Sequence, residues 1–171
     1  GGRIAIDYSP ASQAALGTQP TVTLSASGGL GRTDSVATRR LGRGEPGTVY
    51  VPDMTFYPSA TLNGGATIVI PGASSWDPGS LTVNNVWVRF ASGFDLDVTG
   101  ALVITGPYGR LDLVKPGTVD LGSLTTGGEL HVFADAAGTL GPTIGAIVNA
   151  AGDILVLSGG KVSPHSDPTT G

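Results

Sequence analysis

Four aspartates are the residues in this chain best suited to metal binding or acid–base chemistry. Asp95 and Asp97 are two residues apart in an alternating segment, so their side chains project to the same face of one strand. We expect Asp112 and Asp120 to lie on neighbouring strands, where stacked carboxylates can hold Ca²⁺ or act as an acid–base pair. The same alternation also describes the ordinary solvent-facing half of a strand. Asp95 and Asp97 are therefore only candidate Ca²⁺ ligands, and no other cofactor is predicted.

His131 lies between two apolar residues of an alternating segment, which predicts that its imidazole faces outward beside Glu129. A histidine that shuttles protons needs an ordered partner, whereas most histidines in such a position are ordinary polar strand residues. A polysaccharide lyase site at the aspartates would also need a base, and Arg110 is the nearby candidate. The sequence contains no phosphate-binding loop, zinc spacing or serine nucleophile motif. We therefore predict no catalytic residue and a protein that is not an enzyme.

Two tryptophans are the candidates for binding sugars. Trp76 and Trp87 could stack on sugar rings if their indoles were exposed, and surface glycans would then be a partner. The alternative is that both side chains belong to the core or cover one end of the fold, and we favour this second interpretation.

Charge and composition exclude several classes of partner. The net charge is −4, and no basic cluster exceeds Arg39-Arg40 with Arg43 nearby, so the basic stripe that nucleic-acid binding needs is absent from the sequence. No apolar run reaches the length of a membrane span, so membrane insertion is not predicted. The chain has no cysteine, which excludes disulfides and thiolate metal sites. With only nine Lys and Arg among abundant Thr, Ser and Gly, the composition favours an extracellular or cell-surface location.

The elements that must position these side chains are short strands. Period-two alternation in segments such as 81–90, 101–104 and 129–133 predicts strands with one buried face. The 28 glycines and 12 prolines fall largely between such segments, as expected for tight corners. Helical signals are confined to Ser12–Leu16 and Gly145–Ala151, and neither is long enough for a stable helix on its own.

Two all-β architectures fit this pattern. Hairpins favour Asn-Gly or Asp-Gly turns, and Asn63-Gly64 is the only such dipeptide. Leu96–Gly106 instead reads as two short strands around a glycine corner, as in the coils of a parallel solenoid. We predict an all-β, right-handed parallel β-solenoid (β-helix) with irregular coils, and the alternative is a β-sandwich or jelly roll.

The chain is predicted to be a single β-rich domain spanning residues 1–171. Within it we expect an irregular N-terminal part (1–58) that contains a loop at 26–47. Solenoid-like coils follow at 59–162, and a C-terminal loop or linker occupies 163–171.

Three segments resemble a known kind of surface protein. Residues Gly1–Tyr8, Thr21–Gly29 and Gly44–Val51 are similar to an element of bacterial extracellular parallel β-helix repeat and adhesin-like proteins. In that element a GGRI strand leads through a glycine-rich loop to a G-T-V-Y strand. Residues 44–48 read Gly-Glu-Pro-Gly-Thr where the family usually has Gly-Gly-Ala-Gly-Thr. The resemblance, which extends loosely over 60–162, implies adhesins, surface fibres or stalk repeats that usually lack enzymatic activity.

The two ends of the chain are the predicted contact sites. Joined tail to head, residues 170–171 and 1–4 read as a loop entering a strand, as in a repeat unit or a subunit that meets copies of itself. We therefore expect a structural module of an extracellular fibre or adhesin that assembles head-to-tail through its open ends or by strand donation. The rival is a carbohydrate-binding or polysaccharide-cleaving β-helix module. The candidates for self-assembly are Arg3, Ile4, Ile6, Tyr8 and Val162.

Overall fold

The chain folds as a right-handed parallel β-solenoid. The computed structural model describes residues 2–18, 20, 22–29, 44–57, 60–71, 73–91, 94–113, 118–133 and 147–165. Within these ranges the strands are β1 (Arg3–Ala5), β2 (Thr48–Tyr50), β3 (Thr61–Leu62), β4 (Ala66–Val69), β5 (Ser75–Trp76), β6 (Leu81–Asn84), β7 (Trp87–Phe90), β8 (Asp95–Thr105), β9 (Arg110–Leu113), β10 (Thr118–Thr126), β11 (Glu129–Phe133), β12 (Ile147–Ala150), β13 (Ile154–Val156) and β14 (Lys161–His165). The helices are α1 (Pro10–Ala15) and a 3-10 helix at Met54–Phe56.

The strands form two sheets through which the chain passes alternately. Sheet A has the order β1-β2-β4-β7-β9-β11-β14, so its strands stack in chain order. Sheet B has the order β12-β10-β8-β6-β3, with β5 paired to β8 and β13 paired to β10. The strand pairs found in the described ranges are all parallel. Parallel stacking of consecutive passes is the arrangement of a solenoid and excludes a hairpin-built sandwich.

Sheet B bends, so each full coil has three sides. The first half of β8 pairs with β5 and its second half pairs with β6. The two halves of β10 pair in the same way with β12 and β13. Sheet A is the third side. The register between β8 and β10 shifts at the bend, between Leu121 and Ser123.

The core consists of apolar side chains stacked in register along the solenoid. One ladder joins Leu81, Leu102 and Leu124, and the side chains of all three are at most 1% exposed. Sheet A contributes a facing ladder through Val88, Leu111 and Leu130. Each fully buried aliphatic side chain of this kind stabilises the fold by about 1.5–3 kcal/mol. Short strands are held together in this way although no single coil could bury its own apolar face.

Glycine occupies the bend because neighbouring coils approach too closely for a side chain. A Cβ built on Gly100 would lie 2.8 Å from the carbonyl oxygen of Gly79. A Cβ on Gly122 would lie 2.6 Å from the oxygen of Gly100, and one on Gly152 would lie 2.7 Å from the oxygen of Gly122. The glycines at this corner therefore form a column along the solenoid.

The fold prediction is confirmed, while the predicted boundaries differ from the observed ones. β1 and β2 belong to sheet A and continue directly into β4, so the strand pattern begins well before residue 59. β14 extends to His165, beyond the predicted end of the coils. Most of the predicted loop at 26–47 lies outside the described residues. Ala26, at its start, is buried between coils, since its N–H donates to the oxygen of Gly65 and its own oxygen accepts from Gly47.

The two helical signals had different outcomes. Pro10–Ala15 is a short exposed helix, and its N-cap is the side chain of Ser9. Residues 147–150 instead form β12, because they pair in parallel with β10. Tertiary pairing thus outweighs weak local helix propensity. Neither helix in the described part of the chain is long and apolar enough to cross a membrane.

Candidate functional site

A cluster of polar side chains covers the outer face of sheet A. Two neighbouring ladders build it: one joins Trp87, Arg110, Glu129 and Lys161, and the other joins Arg89, Asp112 and His131. We call these seven residues the Asp112 cluster. Their strands alternate with inward apolar residues, so the polar side chains from β7, β9, β11 and β14 all project to the same side.

Asp112 is the centre of the cluster and is completely buried, although its strand position faces outward. Its Oδ2 accepts hydrogen bonds from Nε1 of Trp87 at 2.8 Å, from Nε and Nη2 of Arg89 at 3.2 and 3.0 Å, and from Nη2 of Arg110 at 3.1 Å. Its Oδ1 accepts from Nε of Arg110 at 2.6 Å. The Arg110 guanidinium also lies over the Trp87 ring, 4.0 Å from its centre. Burial of the carboxylate is compensated because two guanidinium groups and an indole N–H surround it.

Glu129 and His131 form a second pair beside Asp112. Nε2 of His131 lies 3.1 Å from Oε2 of Glu129, and Nζ of Lys161 donates to Oε1 at 3.4 Å. Burial alone would raise the pKa of Glu129, but the hydrogen bond with His131 and the charge of Lys161 outweigh it and lower that pKa. Burial lowers the pKa of His131, and the positive charge of Arg110 acts in the same direction. At neutral pH the pair is therefore a carboxylate beside a neutral imidazole.

The Asp112 cluster is arranged for mutual stabilisation more than for acid–base catalysis. The donors around Asp112 occupy its oxygens, so this carboxylate is not placed to accept a proton from a substrate. Glu129 bonds to both His131 and Lys161 and is held in the same way. Among the residues that the structure describes, no group of three or more His, Asp or Glu side chains is placed to hold a metal ion.

The structure separates one of the four aspartates that the sequence suggested as neighbours, Asp112, from the other three. Asp95 and Asp97 are exposed on β8 in sheet B, whereas Asp112 is buried on β9 in sheet A. The expectation that Asp112 shares a site with Asp95 and Asp97 is therefore wrong, because alternate passes of the chain enter different sheets. The backbone of Asp120 is in register with Asp97. The side chain of Asp120 is outside the described part of the structure.

The two tryptophans occupy different environments. Trp76 is half-buried and packs against Phe90 with ring centres 6.2 Å apart, and Phe90 in turn stacks on Phe94 at 4.8 Å. Phe90 and Phe94 belong to the buried core, and Trp76 packs against it. Trp87 is half-buried on the outer face, where Arg110 covers one side of its ring.

His131 occupies the outward strand position that the sequence predicts but is not exposed to solvent. His131 is only 9% exposed, because the residues of the neighbouring ladder surround its side chain. Alternation correctly assigns the face of a side chain, while its burial depends on what stacks above and below it. The side chain of His165, the other histidine, lies outside the described part of the structure.

The predicted contact residues at the N-terminus lie on and after the first strand of sheet A. Arg3 is exposed, while Ile4 and Ile6 are partly buried against the core. The N–H of Ile6 donates to the oxygen of Tyr50 at 2.9 Å. The hydroxyl of Tyr8 donates to Oδ1 of Asp53, and its ring packs edge-on against Phe56 with centres 5.2 Å apart. The segment that follows β1 is thus bound to its own chain.

The opposite end of the solenoid exposes a group of apolar side chains, which we call the C-terminal apolar end. Ile154 and Val156 continue the inward ladders through Leu124 and Thr126, and Val162 continues the ladder through Leu130. Leu124, Thr126 and Leu130 are at most 1% exposed. In contrast, Ile154, Val156 and Val162, the last described residues of these ladders, are 44–57% exposed. The C-terminal apolar end consists of Ile154, Leu155, Val156, Leu157 and Val162.

The Asp112 cluster was not identified from the sequence, although a signal for it exists. Four segments share a polar-apolar-polar pattern: Trp87-Val-Arg, Arg110-Leu-Asp, Glu129-Leu-His and Lys161-Val-Ser. Aligning these triplets would have placed their first and third residues in two outward ladders. The coils between the triplets differ in length, which hides the repeat.

Comparison of the chain with protein-family models, with curated proteins and with solved structures found no match.

Proposed function

We propose that this protein is a structural module of an extracellular fibre or adhesin, and that it associates end to end through the open ends of its solenoid. The observation that carries the proposal is the C-terminal apolar end. Its inward-facing residues occupy core positions but lack a covering coil within the described residues. An exposed apolar surface at a sheet edge favours association with a further strand.

The backbone at both ends of sheet A supports the same proposal. β1 and β14 are the outermost strands of this sheet, and among the described residues each pairs with a neighbour on one side only. Unpaired N–H and C=O groups along such an edge are a template for another strand. Because the two edges lie at opposite ends of the sheet, contact between them would extend the solenoid as an open, head-to-tail array.

The Asp112 cluster supports a mechanical role for the coils between these ends. Its ion pairs and hydrogen bonds link β7 to β9 and β11 to β14, while the apolar ladders join all four strands from the inside. Such a network resists separation of neighbouring coils. A module that bears load along a fibre would benefit from this property.

Head-to-tail contact is favoured over strand donation by the contacts of the first residues. Donation of residues 1–8 to another chain would break the pairing of β1 with β2 and the hydrogen bond from Tyr8 to Asp53. Addition to the free edge of β1 preserves both. The low content of charged residues and the absence of cysteine agree with an extracellular location.

The test is a double substitution, Ile154→Lys with Val156→Lys, in the C-terminal apolar end. Two ammonium groups at these positions would have to be desolvated by any covering strand, so we expect loss of association. Sedimentation velocity over a range of protein concentrations, with electron microscopy of the same samples, measures the result. Because both side chains are about half exposed, the fold itself should tolerate the change.

Tyr108→Lys is the control, since Tyr108 is 42% exposed and lies in the turn between β8 and β9, in the middle of the solenoid and away from both end strands of sheet A. This variant should associate as the unchanged protein does. The proposal is contradicted if the unchanged protein stays monomeric at every concentration, or if the double variant associates equally well.

A further inference from the structure

We infer that β14 binds β1 of a second copy as a parallel strand, with Arg3 of the second copy opposite Ser163. The inference rests on the proposed end-to-end association and specifies which strands meet and in which register. The inference is based on the directions of the backbone groups in β1 and β14, on Pro164, and on the charges of Arg3 and Lys161.

The open edge of β14 has more backbone C=O acceptors than backbone N–H donors. The N–H of Lys161 donates to the oxygen of Gly128 at 2.8 Å, so Lys161 and Ser163 direct their backbone groups towards β11. Backbone groups alternate in direction along a strand, which leaves those of Val162 and Pro164 on the open edge. Proline has no N–H, so at Pro164 this edge can only accept a hydrogen bond.

The open edge of β1 has a backbone N–H donor at each residue whose backbone groups face outward. The oxygen of Gly2 accepts from the N–H of Thr48 at 3.1 Å, and the N–H of Ile6 donates to Tyr50. Gly2, Ile4 and Ile6 therefore face β2, and by alternation the N–H groups of Arg3 and Ala5 face outward. In a parallel pairing these two N–H groups can donate to the oxygens of Val162 and Pro164.

Charge selects one register for that pairing. With Arg3 of the second copy opposite Ser163, the outward ladder that includes Asp112 and His131 continues through the contact. Two neighbouring registers keep the same backbone directions. One would place Arg3 opposite Lys161, and like charges directly opposite each other destabilise a pair of strands. The other would place Arg3 opposite His165, the last residue of β14, so the rest of β1 would have no strand residue to pair with. The Ser163 register avoids both and places Ile4 of the second copy on Pro164 in the inward ladder.

A symmetric contact between two C-terminal ends is less favourable for the same reasons. It would pair β14 with β14 of the second copy and bring both copies of Pro164 to the contact. Two backbone N–H donors would then be missing, whereas the head-to-tail contact lacks one. It would also bring two copies of Lys161 to the same contact.

Cysteine pairing tests the register directly, because the natural chain contains no cysteine. We would prepare Ala5→Cys, His165→Cys and Ser163→Cys as separate proteins, because all three keep Arg3, whose charge selects the register. In the proposed register Ala5 of the second copy lies opposite His165, whereas in the register with Arg3 opposite Lys161 it lies opposite Ser163. Each protein is oxidised alone, and Ala5→Cys is also oxidised together with each of the other two. Register neighbours on adjacent strands have Cα atoms about 5 Å apart, within the range that a disulfide spans. We expect a disulfide-linked dimer from Ala5→Cys with His165→Cys, and little from Ala5→Cys with Ser163→Cys or from any protein alone. Thr99→Cys, exposed in the middle of β8, gives the background of random cross-linking.

The outcomes separate the inference from the proposed function. Dimers from Ser163→Cys alone would indicate the symmetric contact and overturn the inference, while end-to-end association would stand. Association of the unchanged protein without cross-linking of Ala5→Cys to His165→Cys would also overturn the inference. A protein that sediments as a monomer and never cross-links above background would overturn both.

Discussion

Asp112 shows how stacking changes the character of a single residue. On an isolated strand it would be an exposed aspartate like Asp97, since both occupy outward positions. In the folded chain the side chains of Trp87, Arg89 and Arg110 enclose it completely. The sequence alternation predicts the outward position. It could not predict the burial, because that depends on which residues of other coils fall into register.

Asp112→Asn should therefore be costly. The substitution keeps the shape but removes the negative charge that two guanidinium groups share, and one N–H donor of Asn would meet other donors. Breaking a buried ion pair costs about 3–5 kcal/mol. Arg89 and Arg110 remain about a fifth exposed, so water compensates part of the loss, and we expect about 2–3 kcal/mol. Urea unfolding followed by circular dichroism measures the free energy of unfolding.

Asp97→Asn is the matched control for this experiment, because Asp97 is an exposed aspartate on a strand of the same solenoid. An exposed substitution of this kind changes stability by less than about 0.5 kcal/mol. If both substitutions changed the free energy of unfolding by the same amount, the contacts of the Asp112 cluster would not stabilise the fold.

At the level of the elements, the glycine corners determine how closely the coils stack. The spacing of glycine and proline in the sequence correctly indicates corners between short strands. The bend within β8 and β10 is harder to foresee. In β8 the alternation continues through Gly100, whereas in β10 the buried residues Leu121 and Leu124 are three positions apart and the register shifts between them. Only the packing of Gly122 against the backbone of the previous coil shows why glycine is required there.

Gly122→Ala should weaken the fold at this corner. Its Cβ would lie 2.6 Å from the oxygen of Gly100 and even closer to that of Thr99, both of them backbone atoms that cannot rotate away. Overpacking of this kind costs about 1–3 kcal/mol. The expected result is a lower urea midpoint for unfolding. Gly29→Ala is the control, since no atom lies within 4 Å of its built Cβ and loss of glycine flexibility there should leave the midpoint unchanged or raise it. Equal midpoints for the two variants would contradict the steric explanation.

For the molecule as a whole, stability depends on linking coils both inside and outside the solenoid. The apolar ladders run through the interior, and on the outer face of sheet A the Asp112 cluster adds polar contacts between β7 and β9 and between β11 and β14. Alternation in the sequence is enough to predict the apolar ladders. The Asp112 cluster contains titratable groups, so the stability of the solenoid should respond to pH.

We expect the fold to lose stability as the pH falls from 7 to 5. The pKa of His131 in the folded chain is lowered, first by burial and then by Arg110, although the hydrogen bond to Glu129 and the charge of Asp112 act in the opposite direction. Below the ordinary histidine pKa of about 6.5, the unfolded chain therefore binds a proton that the folded chain excludes, and protons favour unfolding. Glu129 and Asp53, whose pKa values are also lowered, extend the loss to pH values below about 4.5.

Thermal unfolding at pH 7 and at pH 5 measures this dependence, and the two histidines allow a matched comparison. His131→Gln should remove much of the difference in melting temperature between the two pH values, because the side chain that takes up the proton on unfolding is gone. His165→Gln should leave that difference as it is in the unchanged protein. A pH dependence that persists in His131→Gln, or that disappears in His165→Gln, would show that the Asp112 cluster does not couple the solenoid to pH in this range.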